Sequence, residues 1–124
     1  MVIEDEFLLT ALRNRRSISK VASECPPEEL IRTMLEAATW APNHFQTEPW
    51  RFIVLRGEAR ERMGAVMGDL AAAREENPDR KDLARERMAT KPLRAPCVIA
   101  VAVEPDEREK VVELEEIVAT AAAT

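Results

Sequence analysis

Glycine is scarce in this chain of 124 residues, occurring only at positions 57, 64 and 68. A GxGxxG turn and a phosphate-cradling P-loop both need clustered glycines to let backbone approach a phosphate, so neither can be built here. Gly64 and Gly68 do form a GxxxG pair, but inside a charged helix, where it is expected to mean little. Histidine occurs once, as His44, and the two cysteines, Cys25 and Cys97, form no CxxC pair. That argues against a zinc site. Cys25 precedes two prolines and Cys97 sits in an apolar run, so both read as reduced structural thiols. No Ser-His-Asp set and no Cys-His nucleophile arrangement is available. An enzyme built from this chain would need a cofactor to carry its reaction.

Positive charge is also short: 18 Lys and Arg face 23 Asp and Glu, a net charge of −5 with a pI near 5.0. A general nucleic-acid or anionic-membrane surface is therefore not expected. The longest apolar run, Ala95 to Val103, is too short to span a bilayer. The first residues, Met1-Val2-Ile3-Glu4-Asp5-Glu6, are acidic where a secretory signal would be basic, so the expected location is cytoplasmic.

What is present is globular composition, 46% hydrophobic and 33% charged, in a length that fits one small domain over residues 1–124. Phe7, Leu8, Ala11 and Leu12 make a helical stripe. Pro27 and Glu28-Glu29 open a second helix carrying Leu30, Met34 and Ala37, its stripe widened by Ile31, Leu35 and Ala38. Trp50 to Leu55 reads as a strand. Gly57 starts a third helix with Met63, Val66, Met67 and Leu70 on one face. Asn77-Pro78-Asp79 starts a fourth, ending near Pro92. Cys97 to Val103 is a second strand, apolar at every position and so expected to be buried on both faces. Pro105-Asp106-Glu107 is expected to open a fifth helix with Val111, Leu114, Val118 and Ala122 on one side.

Two strands are too few for a stable sheet, and the last helix runs into Thr124 without a stop signal. The expectation is an incomplete domain, with later strands contributed by further residues, a partner chain or both.

Two segments could carry chemistry. Arg15-Arg16-Ser17 follows a helix, and two guanidiniums with a hydroxyl suit a phosphate. Taken alone, the same basic pair better suits a plain helix end, where it offsets the negative dipole. The second segment, Trp40-Ala41-Pro42-Asn43-His44-Phe45-Gln46-Thr47-Glu48-Pro49-Trp50, gathers both tryptophans, two loop prolines and the one histidine into eleven residues. Such a loop suits a flat heteroaromatic ligand, unless its tryptophans simply fill core.

In this order and spacing, Arg15-Arg16-Ser17, the Ala41-Pro42 to Gln46-Thr47-Glu48-Pro49-Trp50 loop, and the strand Arg51-Phe52-Ile53-Val54-Leu55 resemble the FMN-dependent nitroreductase family, in its short single-domain bacterial branch. Gly57-Glu58-Ala59-Arg60-Glu61-Arg62 and Arg94-Ala95-Pro96 fit the same pattern. The resemblance covers essentially the whole chain, as the N-terminal portion of that fold. It implies an α+β fold, a mixed sheet flanked by helices, and a homodimer with FMN at its interface.

By that resemblance Arg15, Arg16 and Ser17 hold the phosphate and ribityl end, and Trp40 and His44 lie against the flavin. No metal and no side-chain nucleophile is implied. Gln46 stands where many members have asparagine, Glu48 where glutamine is usual, and Ser19, followed by Lys20, where many have a basic residue. The implied function is hydride transfer from NAD(P)H through FMN to a nitroaromatic, quinone or related small-molecule acceptor. Two alternatives stay open: a truncated, non-catalytic flavin-binding remnant, and a same-fold enzyme of dehalogenase or azoline oxidase type.

Overall fold

The computed structural model describes residues 5–124. In chain order it has α1 (Asp5–Asn14), α2 (Glu28–Ala38), β1 (Trp50–Arg56), α3 (Glu58–Arg74), α4 (Lys81–Ala89), β2 (Cys97–Val103) and α5 (Glu113–Ala122). Short 3₁₀ turns occupy His44–Gln46, Pro78–Arg80 and Lys91–Arg94. This is the α+β class that the resemblance implied.

β1 and β2 pair antiparallel over their full lengths, from Trp50 opposite Val103 to Arg56 opposite Cys97. The Glu104 amide continues the ladder onto the Pro49 carbonyl at 2.8 Å. Period-two alternation puts Trp50, Phe52 and Val54 on one face of β1. Trp50 is buried while Arg51 and Ile53 are exposed. Opposite them, Val101 and Ile99 share that face by register.

β2 is less covered than its apolar sequence suggested. Positions 97–100 are half-buried, and Val101 and Ala102 are exposed. Among the described residues the sheet has no third strand, so an edge of each strand stays open.

A small core joins Trp50 to Ala119 and Ala123, with Ala38, Ala41 and Phe52 packed against it. On α2 the inward residues are Ile31, Leu35 and Ala38, whereas Leu30 and Met34 are exposed. The edge of the stripe that the sequence treated as secondary is thus the buried one.

Three further expectations change. The first concerns α3, whose buried positions are Gly64, Gly68 and Ala72, with Val66 and Leu70 exposed. The GxxxG pair is a packing seam. A Cβ on Gly64 would collide with the Ala89 carbonyl oxygen of α4, and one on Gly68 would sit 2.8 Å from the Arg85 carbonyl oxygen. Only hydrogen side chains let the two helix backbones approach this closely.

The second concerns the start of α5, which begins at Glu113 and not at Pro105. Asp106 Oδ1 accepts from the Arg108 amide and from Arg108 Nε, each at 2.8 Å. This local side-chain-to-backbone turn competes with helix. Val111 therefore precedes the helix.

The third concerns which side of α5 faces inward. Glu116, Ala119, Thr120 and Ala123 are buried, while Leu114 and Val118 are 66% and 58% exposed. The bulky Trp50 indole admits only the alanine side of the helix.

The remaining punctuation follows the sequence. Asn77 caps the Pro78–Arg80 turn by accepting from the Asp79 amide at 3.0 Å. Both cysteines are free thiols, Cys25 exposed and Cys97 half-buried.

Candidate functional site

Among the described residues, every non-glycine residue with a positive φ lies in the connection between α2 and β1. α2 ends where Thr39 Oγ1 bonds back to the Glu36 carbonyl at 2.7 Å, and Pro42 follows. Phe45, Gln46 and Glu48 then adopt φ values of 65°, 52° and 49°. Non-glycine residues in this left-handed region cost on the order of 1–3 kcal/mol each, so the surroundings must hold them there.

The holding contacts are explicit. Asn43 Oδ1 accepts from the Glu48 amide at 2.7 Å. Asn43 Nδ2 donates to Thr47 Oγ1 at 3.2 Å. Thr47 Oγ1 in turn donates to Glu116 Oε1 of α5 at 2.5 Å. Glu116 Oε2 accepts from the Asp106 amide at 3.2 Å. The Phe45 ring stacks on His44, with centroids 3.9 Å apart and planes inclined by 19°. Lys110 Nζ lies 5.4 Å from the Phe45 centroid on the other loop.

His44 is mostly exposed, and its Nδ1 lies 3.1 Å from Glu115 Oε2. A carboxylate oxygen only accepts, so this contact puts a proton on Nδ1. Trp40 is 83% exposed and Trp50 6%. The two tryptophans thus divide the alternatives the sequence left open: Trp50 fills core, and Trp40 presents its ring to solvent. Trp40 borders an open, polar cleft of about 560 Å³ that also touches Thr39, Asn43, Gln46 and Glu48. His44 lines a second cleft, of about 780 Å³, with Leu114, Val118 and Ala122 of α5.

Arg15, Arg16 and Ser17 lie directly after α1 and are exposed. Arg16 Nη1 donates to the carbonyls of Arg13 and Arg15 at 2.7 and 2.8 Å, the helix-end role. The Arg15 guanidinium makes no hydrogen bond or ion pair among the described residues, so the two arginines differ where the sequence treated them alike. No hydrogen bond or ion pair joins this segment to the 40–50 loop among the described residues.

Near the site, the Arg108 guanidinium hydrogen-bonded to Asp106 holds that carboxyl below its ordinary value, and the Arg108 amide adds to the effect. Sequence reasoning missed Glu116 and Glu115. In the sequence they are two of three acids in the first turn of a helix, and that position alone accounts for all three.

Residues 12–124 match the family described as the Nitroreductase family. The chain is 38% identical over 105 residues to "Putative NAD(P)H nitroreductase YdjA" of Escherichia coli (strain K12), covering 83% of this chain and 54% of that one. Its structure resembles a nitroreductase-like family protein from Bacillus cereus with a TM-score of 0.70, at 27% identity over 94% of this chain and 59% of the other. It also resembles a "putative nitroreductase in complex with fmn" from Desulfovibrio desulfuricans, with a TM-score of 0.58, at 28% identity over 94% of this chain and 56% of that one. The chain spans about half the length of the curated relatives it matches. The fold, the order of its segments and the match over residues 12–124 make this chain a member of the nitroreductase family.

Proposed function

We propose that the protein carrying this sequence is an FMN-dependent oxidoreductase that passes a hydride from NAD(P)H to a nitroaromatic, quinone or related acceptor. The observation that carries this reading is family membership across residues 12–124, reinforced by the name of the Escherichia coli relative. The flavin found with the Desulfovibrio desulfuricans protein supports the cofactor.

The residues present fit FMN in kind. Arg15 offers a guanidinium fork, unengaged among the described residues, that suits a phosphate. Ser17 adds an exposed hydroxyl donor, and Arg16 contributes charge while remaining tied to the end of α1. The exposed indole of Trp40 offers a stacking surface for a flat ring system. His44, held by Glu115 through Nδ1, can stack on a flat ring or make one further hydrogen bond through Nε2. When bound, FMN supplies the two-electron chemistry that no side chain here can perform.

The same proposal includes a homodimer with FMN at the interface. It is supported by the exposed apolar faces of α1, at Phe7, Leu8 and Leu12, and of α5, at Leu114 and Val118. A cytoplasmic location belongs to it as well. No described helix is long and apolar enough to cross a membrane.

The test is the absorbance spectrum of the purified protein incubated with excess FMN, followed by NADH or NADPH oxidation with a nitroaromatic or quinone acceptor. Flavin bands and acceptor-dependent turnover are expected. Arg15→Ala should weaken FMN binding by roughly 1.5–3 kcal/mol, the value of a charge-assisted hydrogen bond. His44→Ala should lower turnover or flavin affinity by no more than about two orders of magnitude, since a sole general base would cost more. A preparation that takes up no flavin would refute the reading.

A further inference from the structure

We infer that Glu116 is a positioning residue for the candidate site, setting the conformation of the 43–48 loop and with it the placement of His44. The inference rests on the reading of the 40–50 loop as the flavin-facing segment.

Glu116 is a charged side chain only 2% exposed, on a helix whose other buried neighbours are alanines and a threonine. Burying a carboxylate is costly unless its oxygens are hydrogen-bonded. Both are: Oε1 accepts from Thr47 and Oε2 from the Asp106 amide. The donors run in one direction, from the Glu48 amide to Asn43, from Asn43 to Thr47, and from Thr47 to Glu116. This chain ends on the only group in it that accepts without donating.

The loop it anchors holds three left-handed non-glycine residues, which relax if the anchor is lost. Thr47 and Glu116 are 69 residues apart, so the contact also fixes α5 against the loop. The next residue, Glu115, reaches His44 Nδ1. One turn of α5 therefore holds both the base of the loop and the ring it presents.

Glutamine at 116 cannot reproduce the arrangement. With its carbonyl toward Thr47, its amide NH₂ confronts the Asp106 N–H. With its carbonyl toward Asp106, the NH₂ donates to Thr47, and the hydroxyl proton turns to Asn43 Oδ1, 3.2 Å away. The first orientation sets a donor against a donor, and the second reverses the chain and replaces its anionic acceptor with a neutral amide.

The experiment compares Glu116→Gln, Thr47→Val, the double variant and the conservative Thr47→Ser in the complete protein carrying this sequence. Glu113→Gln, an exposed acid of the same helix turn, serves as control. Three quantities are read: amide hydrogen exchange across residues 43–48 without flavin, the imidazole NMR signals, and the FMN dissociation constant. The ring signals that vanish in His44→Ala identify those of His44.

Glu116→Gln and Thr47→Val should each speed exchange in the loop and weaken FMN about tenfold, one charged hydrogen bond's worth. Both should move the His44 ring signals. The double variant should be no worse than the poorer single, because both remove the same link. Thr47→Ser and Glu113→Gln should resemble the parent.

Unchanged loop exchange and unchanged His44 signals in Glu116→Gln would overturn the inference. So would faster exchange with unmoved ring signals and unaltered FMN affinity, which would make Glu116 a brace of the fold alone. If Glu116→Gln does not fold, Thr47→Val decides by the same criteria. A parent protein that binds no FMN removes the flavin reading, while the exchange and imidazole signals still decide the role of Glu116.

Discussion

Gly64→Ala separates two physical arguments that disagree in sign. Intrinsic propensity says that alanine in place of glycine inside an exposed helix stabilises by about 1 kcal/mol. The structure says the reverse. An ideal Cβ at residue 64 would overlap the Ala89 carbonyl oxygen and lie 3.2 Å from the Ala89 carbonyl carbon. That obstacle is backbone, so no rotamer change relieves it, and α4 must move bodily away from α3. Overpacking of this kind costs typically 1–3 kcal/mol, and a backbone obstacle belongs at the upper end. Subtracting the propensity gain leaves a net loss of roughly 2 kcal/mol. For a chain of this size that corresponds to a fall in Tm of roughly 8 °C.

Urea unfolding followed by circular dichroism, with thermal scans alongside, measures the loss. Gly68→Ala should lose less, because its Cβ would sit 2.8 Å from the Arg85 carbonyl oxygen and otherwise meet two side-chain atoms at 3.1 Å. If Gly64→Ala is as stable as the parent or more so, the seam between α3 and α4 is not where the structure puts it, and propensity governs the position.

The two tryptophans should part company on substitution. Trp50→Ala, in the core with Ala119 and Ala123, should destabilise by about 3–5 kcal/mol. Trp40→Ala should leave the unfolding midpoint nearly unchanged and act on flavin binding, so equal losses of stability would refute the division. Asp106 gives a pH prediction: its carboxyl is held below the ordinary value by Arg108, so the stabilisation is fully present above the unfolded carboxylate pKa. It is lost as pH falls through the lowered value. Arg108→Ala should return the Asp106 midpoint upward in an NMR titration, and an unmoved midpoint would contradict the assignment.

Much of the local structure was legible because it depends on neighbours in sequence. The aromatic and β-branched run from Trp50 to Leu55, the Asn77-Pro78-Asp79 start and the glycine before α3 all carry their own stereochemical reasons. The Trp40 to Trp50 loop stood out for the same reason, since it holds two prolines and its residue types are unusual together. Family membership was legible through the order of Arg15-Arg16-Ser17, that loop and the strand, a property of the linear sequence.

What the sequence could not decide was which faces meet. Helical periodicity marked Leu114, Val118, Val66 and Leu70 as an apolar side, yet the faces buried within this chain are the small-residue ones. Those contacts are set by the bulk of Trp50 against Ala119 and Ala123, and by backbone approach at Gly64 and Gly68. Nor could the sequence single out Glu116 from Glu113 and Glu115. Its role comes from a threonine 69 residues away and a backbone amide in another loop. The sequence by itself determined the order and type of the elements, though not where α5 begins, because their causes are local hydrogen bonding and side-chain shape. Only the tertiary structure decided the packing seams and the buried carboxylate, because close approach and burial arise when distant parts of the chain share the same space.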